Sequence, residues 1–258
     1  MATGAVTEDR FLGGRLVLRQ PRQGYRAGVD PVLLAASVPA RAGQSVLDLG
    51  CGVGAAALCL GARVAGLSLV GVERQADYAA LARANAEANG QAFTVHEADL
   101  AALPADLRAR AFDHVIMNPP YYLPARATRS GDDGRGQALF EDTPLSTWVD
   151  AATRRLAPGG RLSVIQNAAR LPDLMAALDD RLGALIVQPI CPRDGRDATL
   201  VIVQARKGGR APARLAAPLV LHEGDTHPGD HDHYRPKARA ILRGGAALSL
   251  GGAPAKSR

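Results

Sequence analysis

Three carboxylates and a glycine-rich turn follow apolar runs in the first half of the chain. Asp48 stands two residues before Gly-Cys-Gly-Val-Gly at 50–54, Glu73 ends the second apolar run, and Asp99 follows the third. Glycines at alternate positions let the backbone turn sharply and let a ligand approach without meeting Cβ atoms. A carboxylate at a strand end can accept hydrogen bonds from ribose hydroxyls or from an amino group. Together these residues predict a site for a nucleoside that carries an amino-acid tail.

Each feature has a plainer interpretation when it is taken alone. The spacing is GxGxG, whereas dinucleotide sites have GxGxxG, and an acid beside the turn would oppose a pyrophosphate. NAD binding is therefore disfavoured, and a cationic or amino-bearing ligand suits Asp48 better. Glu73 by itself also fits a solvated strand end, and Asp99 by itself also fits a helix N-cap. The combination favours a ligand site.

A second motif, Asn118-Pro119-Pro120-Tyr121, follows the fourth apolar run. Two prolines stiffen the loop and leave their carbonyl groups outside a ladder. The Asn118 side-chain oxygen and the Pro119 carbonyl can each accept one N–H of a planar amine and turn its lone pair toward an electrophile. This chemistry needs orientation and hydrogen bonding, with no covalent intermediate and no metal. Tyr121, or less readily Tyr122, can stack on a flat substrate. An ordinary Pro-rich turn is the alternative.

Apolar runs of strand length alternate with helical segments, which predicts a doubly wound, mostly parallel α/β sheet. The last two runs have only a turn between them and should pair antiparallel. Ligands of such sheets lie beyond the carboxyl ends of the strands, where the motifs above stand. Strands are predicted over 44–49, 67–72, 92–95, 114–117, 161–166, 184–190 and 199–204, and helices over 55–64, 77–89, 145–156 and 171–182.

The order Asp-Leu-Gly-Cys-Gly-Val-Gly, Glu73, Asp99 resembles the cofactor site of class I S-adenosylmethionine-dependent methyltransferases. The resemblance implies a Rossmann-like seven-stranded sheet with a terminal antiparallel hairpin strand and S-adenosylmethionine as cofactor. It implies that three glycines flank the methionine part, that Glu73 binds the ribose and that Asp99 meets the adenine. Asn118-Pro-Pro-Tyr is similar to the signature of the members that methylate amino groups. The implied cofactor residues are Asp48, Gly50, Cys51, Gly52, Gly54, Glu73, Arg74, Asp99, Leu100 and Asn118, and the implied catalytic residues are Asn118, Pro119, Pro120 and Tyr121.

A segment before the sheet, 23–35, carries Tyr25, Arg26 and Asp30 between glycines. It is similar to a segment of bacterial tRNA adenine-N6 methyltransferases that act on the anticodon loop of valine tRNA. The resemblance implies that Arg26 and Asp30 help to close the cofactor site. Asp30 also fits the N-cap of a helix that starts at Pro31.

The net charge is +6 and the isoelectric point is near 9.6. Such a charge fits either an RNA partner or a simple solubility bias. Arg126 and Arg129, in a polar loop after Tyr121, are candidate substrate contacts together with Tyr121 and Tyr122; a solvated loop is the alternative. The histidines between 222 and 233 match no zinc spacing, so an exposed loop is expected there and no metal. Further candidates for phosphate contact are Arg206, Lys207, Arg210, Arg214, Arg235, Lys237, Arg239 and Arg243.

Length and composition predict one globular domain over 1–258. It would comprise an N-terminal cap segment (1–44), a Rossmann-like core (45–205) and a basic C-terminal extension with a frayed tail (206–258). The chain is 47% hydrophobic and has no apolar run long enough for a membrane span or a signal peptide. Its three cysteines form no CxxC pair, which favours a reduced, cytoplasmic protein.

The predicted function is methyl transfer from S-adenosylmethionine to an exocyclic amine, with adenine N6 of tRNA favoured. Protein glutamine N5 and rRNA guanine N2 are alternative acceptors. An RNA-binding module with an idle cofactor pocket is an alternative of another class. The oligomeric state is left open.

Overall fold

The computed structural model describes residues 6–121, 143–224 and 233–250. A central mixed sheet dominates these residues. Its strands lie in the order β10-β8-β9-β7-β6-β3-β4-β5, and β11 also pairs with β8. They are β3 Ser45–Leu49, β4 Ser68–Glu73, β5 Phe93–Glu97, β6 Phe112–Met117, β7 Leu156–Asn167, β8 Leu182–Cys191, β9 Leu200–Lys207, β10 Arg214–Leu215 and β11 Leu219–Val220.

Strands β3 to β7 run parallel to one another, and β9 runs antiparallel to both β7 and β8. The predicted α/β fold with a terminal antiparallel hairpin is therefore confirmed. The described sheet has nine strands rather than seven, because the two-residue strands β10 and β11 extend it along β8.

Helices cover both faces of the sheet, as buried parallel strands require. One face packs α1, α2 and α7 against side chains that include Val46 and Ile116. The other face packs α4, α5 and α6 against Leu47 and Val115. Adjacent strand residues thus point into opposite cores. The helices are α1 Asp30–Ser37, α2 Ala55–Arg63, α3 Ala76–Ala88, α4 Ala105–Ala109, α5 Leu145–Arg155, α6 Leu171–Ala177 and α7 Pro236–Leu242.

Helix α6 is shorter than the predicted helix over 171–182. Leu178 is already extended, and the Asp179 side chain accepts the backbone N–H of Arg181 at 2.9 Å. The Leu182 N–H then bonds the Asp179 carbonyl at 3.1 Å, which closes a turn into β8. An aspartate that offers its own backbone a turn competes with the helix at this position.

An N-terminal hairpin, β1 Val6–Phe11 and β2 Leu16–Pro21, forms a separate two-stranded sheet that the sequence did not predict. Asn85 of α3 fastens this hairpin to the core. Its side chain accepts the Arg19 N–H at 2.7 Å and donates at 3.0 Å to the carbonyls of Arg19 and Val53. Because Val53 belongs to the glycine-rich turn, the hairpin and that turn share one buried anchor.

None of the helices in the described ranges has the length and apolarity to cross a bilayer.

Candidate active site

A cleft of about 970 Å³, measured with its open mouth, lies at the carboxyl ends of β3, β4, β5 and β6. The parallel register brings these ends to one edge of the sheet, so residues far apart in the chain meet there. The lining residues are Tyr25, Gly50, Gly52, Val72, Glu73, Arg74, Gln75, Tyr78, Ala98, Asp99, Leu100, Asn118, Pro119, Pro120, Tyr121, Thr143 and Trp148.

The glycine-rich turn forms the floor of the cleft between β3 and α2. Gly50 and Gly52 have φ values of +67° and +55°, which L side chains rarely adopt. A Cβ on Gly50 would stand 2.5 Å from the Trp148 ring, whereas a Cβ on Gly52 would meet nothing within 4 Å. Gly50 is therefore needed for packing as well as for the turn, and Gly52 keeps an open backbone face toward the cleft.

Glu73 is held at the end of β4 by two backbone donors. Gly52 N–H donates to Oε2 at 2.9 Å, and Gln75 N–H donates to Oε1 at 2.8 Å. Each oxygen retains a lone pair, so the carboxylate can still accept hydroxyl groups of a ligand. The side chain is buried and lines the cleft, which is the position the sequence predicted for it.

Asp99 lines the neighbouring part of the cleft, next to Leu100 and on the same wall as Arg74. Its Oδ1 accepts the Ala101 N–H at 2.8 Å and caps the short 3-10 helix Leu100–Ala102. The N-cap alternative thus holds, and because Oδ1 takes the cap, Oδ2 is the oxygen left for a ligand.

Asp48 lies beneath the cleft with 2% of its surface exposed. Its Oδ2 has no hydrogen-bond partner. The pKa of this carboxyl is raised to about 8, chiefly by burial and to a smaller extent by the nearby charge of Glu73, while an amide hydrogen bond from Ala57 acts in the opposite direction. Such a group favours a neighbouring cation, because a cation would stabilise its ionised form.

Asn118 and the two prolines form the opposite wall. The Asn118 Nδ2 donates to the Tyr25 hydroxyl at 3.1 Å, and Oδ1 is left without a partner. The carbonyls of Pro119 and Pro120 receive long hydrogen bonds from the buried Gln166 Nε2, at 3.3 and 3.4 Å. Gln166 in turn accepts the Asn167 N–H at 2.8 Å, which fixes its amide. The Pro119 oxygen has a second lone pair for a substrate N–H.

Tyr121 is tied to the N-terminal segment. Its hydroxyl donates to Asp30 Oδ2 at 2.5 Å. Asp30 does not cap α1 with its side chain and is absent from the residues that line the cleft. It was predicted as a cofactor contact or a cap, and the structure places it behind Tyr121 instead.

Arg26, also predicted as a cofactor contact, faces away from the cleft. It pairs with Asp9 at 2.6 Å and donates to Thr7 Oγ1 and to the Pro21 carbonyl. The reason is the unpredicted hairpin, which brings β1 beside this residue. Cys51 and Gly54 belong to the turn but do not line the cleft, and burial raises the pKa of the Cys51 thiol well above its usual value. Tyr122, Arg126 and Arg129 lie outside the described residues.

Among the residues of the site that were not predicted are Gln166, Tyr78 and Trp148. Gln166 is the last residue of a predicted strand, where a polar side chain does not indicate a role in a site. Tyr78 lies in an Ala-rich predicted helix, where nothing in the pattern distinguishes it from a packing residue. Trp148 is the only tryptophan of the chain, and this rarity is the one sequence signal that could have indicated a special role for it. Its indole Nε1 is buried without a partner at the cleft.

Some of the predicted phosphate contacts serve the fold. Lys207 Nζ donates to the carbonyls of Thr153 and Leu156 at 2.7 Å and so closes the end of α5. Lys207 is the last residue of β9 and lies at the edge of the sheet opposite the cleft, because β9 runs antiparallel to β7. Arg235 pairs with Asp194, after β8 at the cleft edge. His222 stacks on Tyr234 at 4.7 Å, and no metal-binding group of three ligands occurs within the described ranges.

The chain is similar to known proteins over most of its length. The family model for the methyltransferase small domain matches residues 27–186. A tRNA1(Val) (adenine(37)-N6)-methyltransferase from Dickeya chrysanthemi is 31% identical over 234 residues, which cover 87% of this chain and 89% of that protein. One from Aeromonas hydrophila is 29% identical and covers 72% of this chain and 79% of that protein.

Two solved structures are similar in fold. A predicted O-methyltransferase from Agrobacterium tumefaciens has a TM-score of 0.69 at 30% identity, over 86% of this chain and 100% of that one. A T. thermophilus 16S rRNA N2 G1207 methyltransferase, in complex with AdoMet and guanosine, has a TM-score of 0.54 at 22% identity, over 79% of this chain and 50% of that one. The second likeness shows the fold alone. With a family match over more than half of its length and a relative 31% identical along most of it, this chain belongs to the methyltransferase small domain family and is a methyltransferase.

Proposed function

We propose that this methyltransferase moves a methyl group from S-adenosylmethionine to the exocyclic N6 amine of an adenine in tRNA. The observation that carries the proposal is the Asn118-Pro119-Pro120-Tyr121 wall, where an unpartnered amide oxygen and a proline carbonyl face the same cleft as the cofactor carboxylates. The relatives named above as tRNA adenine-N6 methyltransferases support the same acceptor.

The residues present fit S-adenosylmethionine. Asp48 is a buried carboxyl with an unpartnered oxygen, a suitable neighbour for the cationic amino-acid part of that molecule. Gly52 leaves open space where a side chain would stand, and Glu73 and Asp99 supply acceptors for ribose hydroxyls and an adenine amino group. When bound, the cofactor supplies an electrophilic methyl group on a sulfonium.

The acceptor wall, formed by Asn118, Pro119, Pro120 and Tyr121, then acts on the substrate amine. An adenine amine is a poor nucleophile because its lone pair is delocalised into the ring. Asn118 Oδ1 and the Pro119 carbonyl each accept one of its two hydrogens and hold the nitrogen with its lone pair toward the methyl group. Positive charge builds on the nitrogen as the new bond forms, and these two hydrogen bonds strengthen with it. After transfer the nitrogen carries both hydrogens and a positive charge, and the release of one of these protons to water leaves a neutral secondary amine.

The two oxygens that accept hydrogen bonds also indicate which kind of substrate atom receives the methyl group. A primary amine offers two hydrogens to two oxygens, whereas a hydroxyl offers one and would leave an acceptor unused. The wall therefore favours N-methylation, although one structural relative is described as a predicted O-methyltransferase. Guanine N2 and the glutamine carboxamide also present two hydrogens, so both remain alternative acceptors.

RNA as partner agrees with the net charge of +6. A target base must leave its stack to enter a cleft of this kind, which is easiest in a loop. In this proposal Tyr121, whose hydroxyl is bonded to Asp30, stacks on that base. As part of the same proposal, the chain works as one domain in the cytoplasm, where tRNA is modified.

The test is methyl transfer from labelled S-adenosylmethionine to unmodified total tRNA, followed by mass spectrometry of the nucleosides. We expect N6-methyladenosine with the wild-type protein and none with Asn118→Ala. Labelled N2-methylguanosine would mean that the methyl acceptor is guanine rather than adenine. Bound cofactor with no labelled nucleoside would reject tRNA and direct the search to rRNA guanine and protein glutamine. A chain that binds RNA but not the cofactor would be an idle binding module.

A further inference from the structure

The proton of the Tyr121 hydroxyl has one evident destination. Asp30 Oδ2 lies 2.5 Å away, and a carboxylate can only accept. Burial and the charge of Asp30 both raise the pKa of the Tyr121 phenol, so the phenol keeps its proton and donates it to the carboxylate. The phenol oxygen is then left with lone pairs only.

The Asn118 amide faces that oxygen. Its Nδ2 donates to the Tyr25 hydroxyl at 3.1 Å. The Asn118 side chain also lowers the pKa of the Tyr121 phenol, as a donor beside that oxygen does. Because the only proton of Tyr121 is directed at Asp30, an amide oxygen turned toward Tyr121 would meet a second acceptor. The Tyr121 oxygen therefore favours the side of the amide that carries Nδ2, which is the side that donates to Tyr25.

The orientation of this amide decides what the other side of Asn118 offers. With Nδ2 on the phenols, Oδ1 has no partner in the described protein and is an acceptor for substrate. If the amide were rotated by half a turn, it would present N–H groups to an amine that also carries N–H groups. The two would repel, and the lone pair of the amine would be engaged by a donor.

We propose that Asp30 sets the orientation of the Asn118 amide through the Tyr121 hydroxyl and is thereby a positioning residue for amine recognition. This inference rests on the proposed function, since it assumes that Asn118 Oδ1 accepts from the substrate amine. Asp30 reaches no lining position of the cleft, so its effect passes through Tyr121 rather than through the cofactor.

A double-mutant cycle tests this chain of contacts. In Asp30→Asn the new side-chain amide can donate a hydrogen bond to Tyr121 as well as accept one, so the direction in which the Tyr121 hydroxyl donates is no longer fixed. We expect kcat to fall about 10- to 100-fold, with the cofactor Kd within about twofold of wild type. In a Tyr121→Phe background the same change should add less than about twofold, because the connecting hydroxyl is already gone. Asp180→Asn removes an exposed carboxylate next to β8, at the opposite edge of the sheet, and is the matched control.

A second readout does not depend on turnover. Protein labelled with [15N]asparagine allows the exchange of the Asn118 side-chain amide to be followed by NMR, with Asn118→Ala identifying the signal. Exchange should be faster in Asp30→Asn and in Tyr121→Phe than in wild type, without added cofactor or RNA. If one of these variants fails to fold, the other still gives the answer.

Three results would overturn the inference: effects of Asp30→Asn and Tyr121→Phe that multiply, unchanged amide exchange, or a cofactor Kd that rises with loss of Asp30. If the wild-type protein does not methylate RNA but the exchange of Asn118 responds as expected, the proposed acceptor is rejected while the orientation of the amide by Asp30 stands.

Discussion

The two walls of the cleft are built in different ways. On the cofactor wall, Glu73 and Asp99 are held by backbone N–H groups no more than 21 residues away in the chain. On the acceptor wall, Asn118 and Tyr121 are held by side chains of the N-terminal segment, 93 and 91 residues away. The cofactor wall thus follows from local turns at strand ends, whereas the acceptor wall exists only after distant segments have packed.

This difference teaches that the two walls should fail separately. Backbone donors remain when a side chain is changed, so damage on the cofactor wall leaves amides unpaired and weakens ligand binding. Side-chain partners can be removed one at a time, so damage on the acceptor wall alters geometry and slows transfer. Four substitutions test how complete this separation is.

The largest expected effect is that of Asn118→Ala. Loss of one acceptor at the reacting amine should lower kcat about 100- to 1000-fold. The cofactor Kd, measured by titration calorimetry, should stay near the wild-type value, because the cofactor carboxylates are untouched. Appreciable turnover in this variant would remove Asn118 from the mechanism and leave the acceptor wall without its central residue.

Glu73→Gln tests the other wall. The new side-chain NH₂ group cannot accept from Gly52 or Gln75, so a backbone donor is left facing a donor. We expect the cofactor Kd to rise about 10- to 100-fold, in line with the loss of a hydrogen bond to a charged group. Glu97→Gln is the control, since Glu97 is the register partner of Glu73 on β5 and is exposed. Equal effects of the two substitutions would mean that general charge, not the site, governs binding.

Gln166→Leu tests whether the proline carbonyls need their buried support. Leucine preserves volume but cannot donate to Pro119 and Pro120, so the loop should lose its fixed position. We expect kcat to fall about 10-fold with little change in cofactor Kd. Gln188→Leu on β8 removes a similarly buried glutamine whose bonds, to Pro189 and Ala217, are not part of the cleft. If Gln188→Leu slows transfer as much, the effect is one of stability.

The last substitution concerns Asp48 and the dependence of stability on pH. Its pKa is raised to about 8 in the folded protein, whereas an unfolded carboxyl ionises near its usual value of 3.8. As pH rises above about 4, the unfolded state ionises first, so the cofactor-free protein loses stability up to about pH 8 and then levels off. Thermal melts should show a Tm that falls by roughly 10 to 20 degrees over this window, and Asp48→Asn should reduce the fall. A slope identical to wild type in that variant would contradict the buried, protonated state.

The same contrast explains how much of the molecule could be predicted. Glu73 and Asp99 stand at strand ends, and an apolar run closed by a carboxylate is visible in the sequence. The parallel order of the strands then brings these residues together with no further information. The sheet and the cofactor wall therefore follow from local pattern.

The contacts of Arg26, Asp30 and Gln166 could not be predicted in this way. The hairpin β1–β2 supplies the Asp9 carboxylate that draws Arg26 away from the cleft. Asp30 bonds a residue 91 positions later, and Gln166 supports a loop 46 to 47 positions earlier. Such partners depend on how helices and loops pack against one another, and the hydrophobic periodicity of the sequence does not predict that packing.

Trp148 lies against Gly50 so closely that no side chain fits between them. It is also the chain's only tryptophan, and 7% of its surface is exposed. All indole fluorescence of this protein therefore originates beside the glycine-rich turn at which we propose that the cofactor binds. The molecule carries its own optical probe, and occupancy of the cleft can be followed as a change in emission, in real time and without a label.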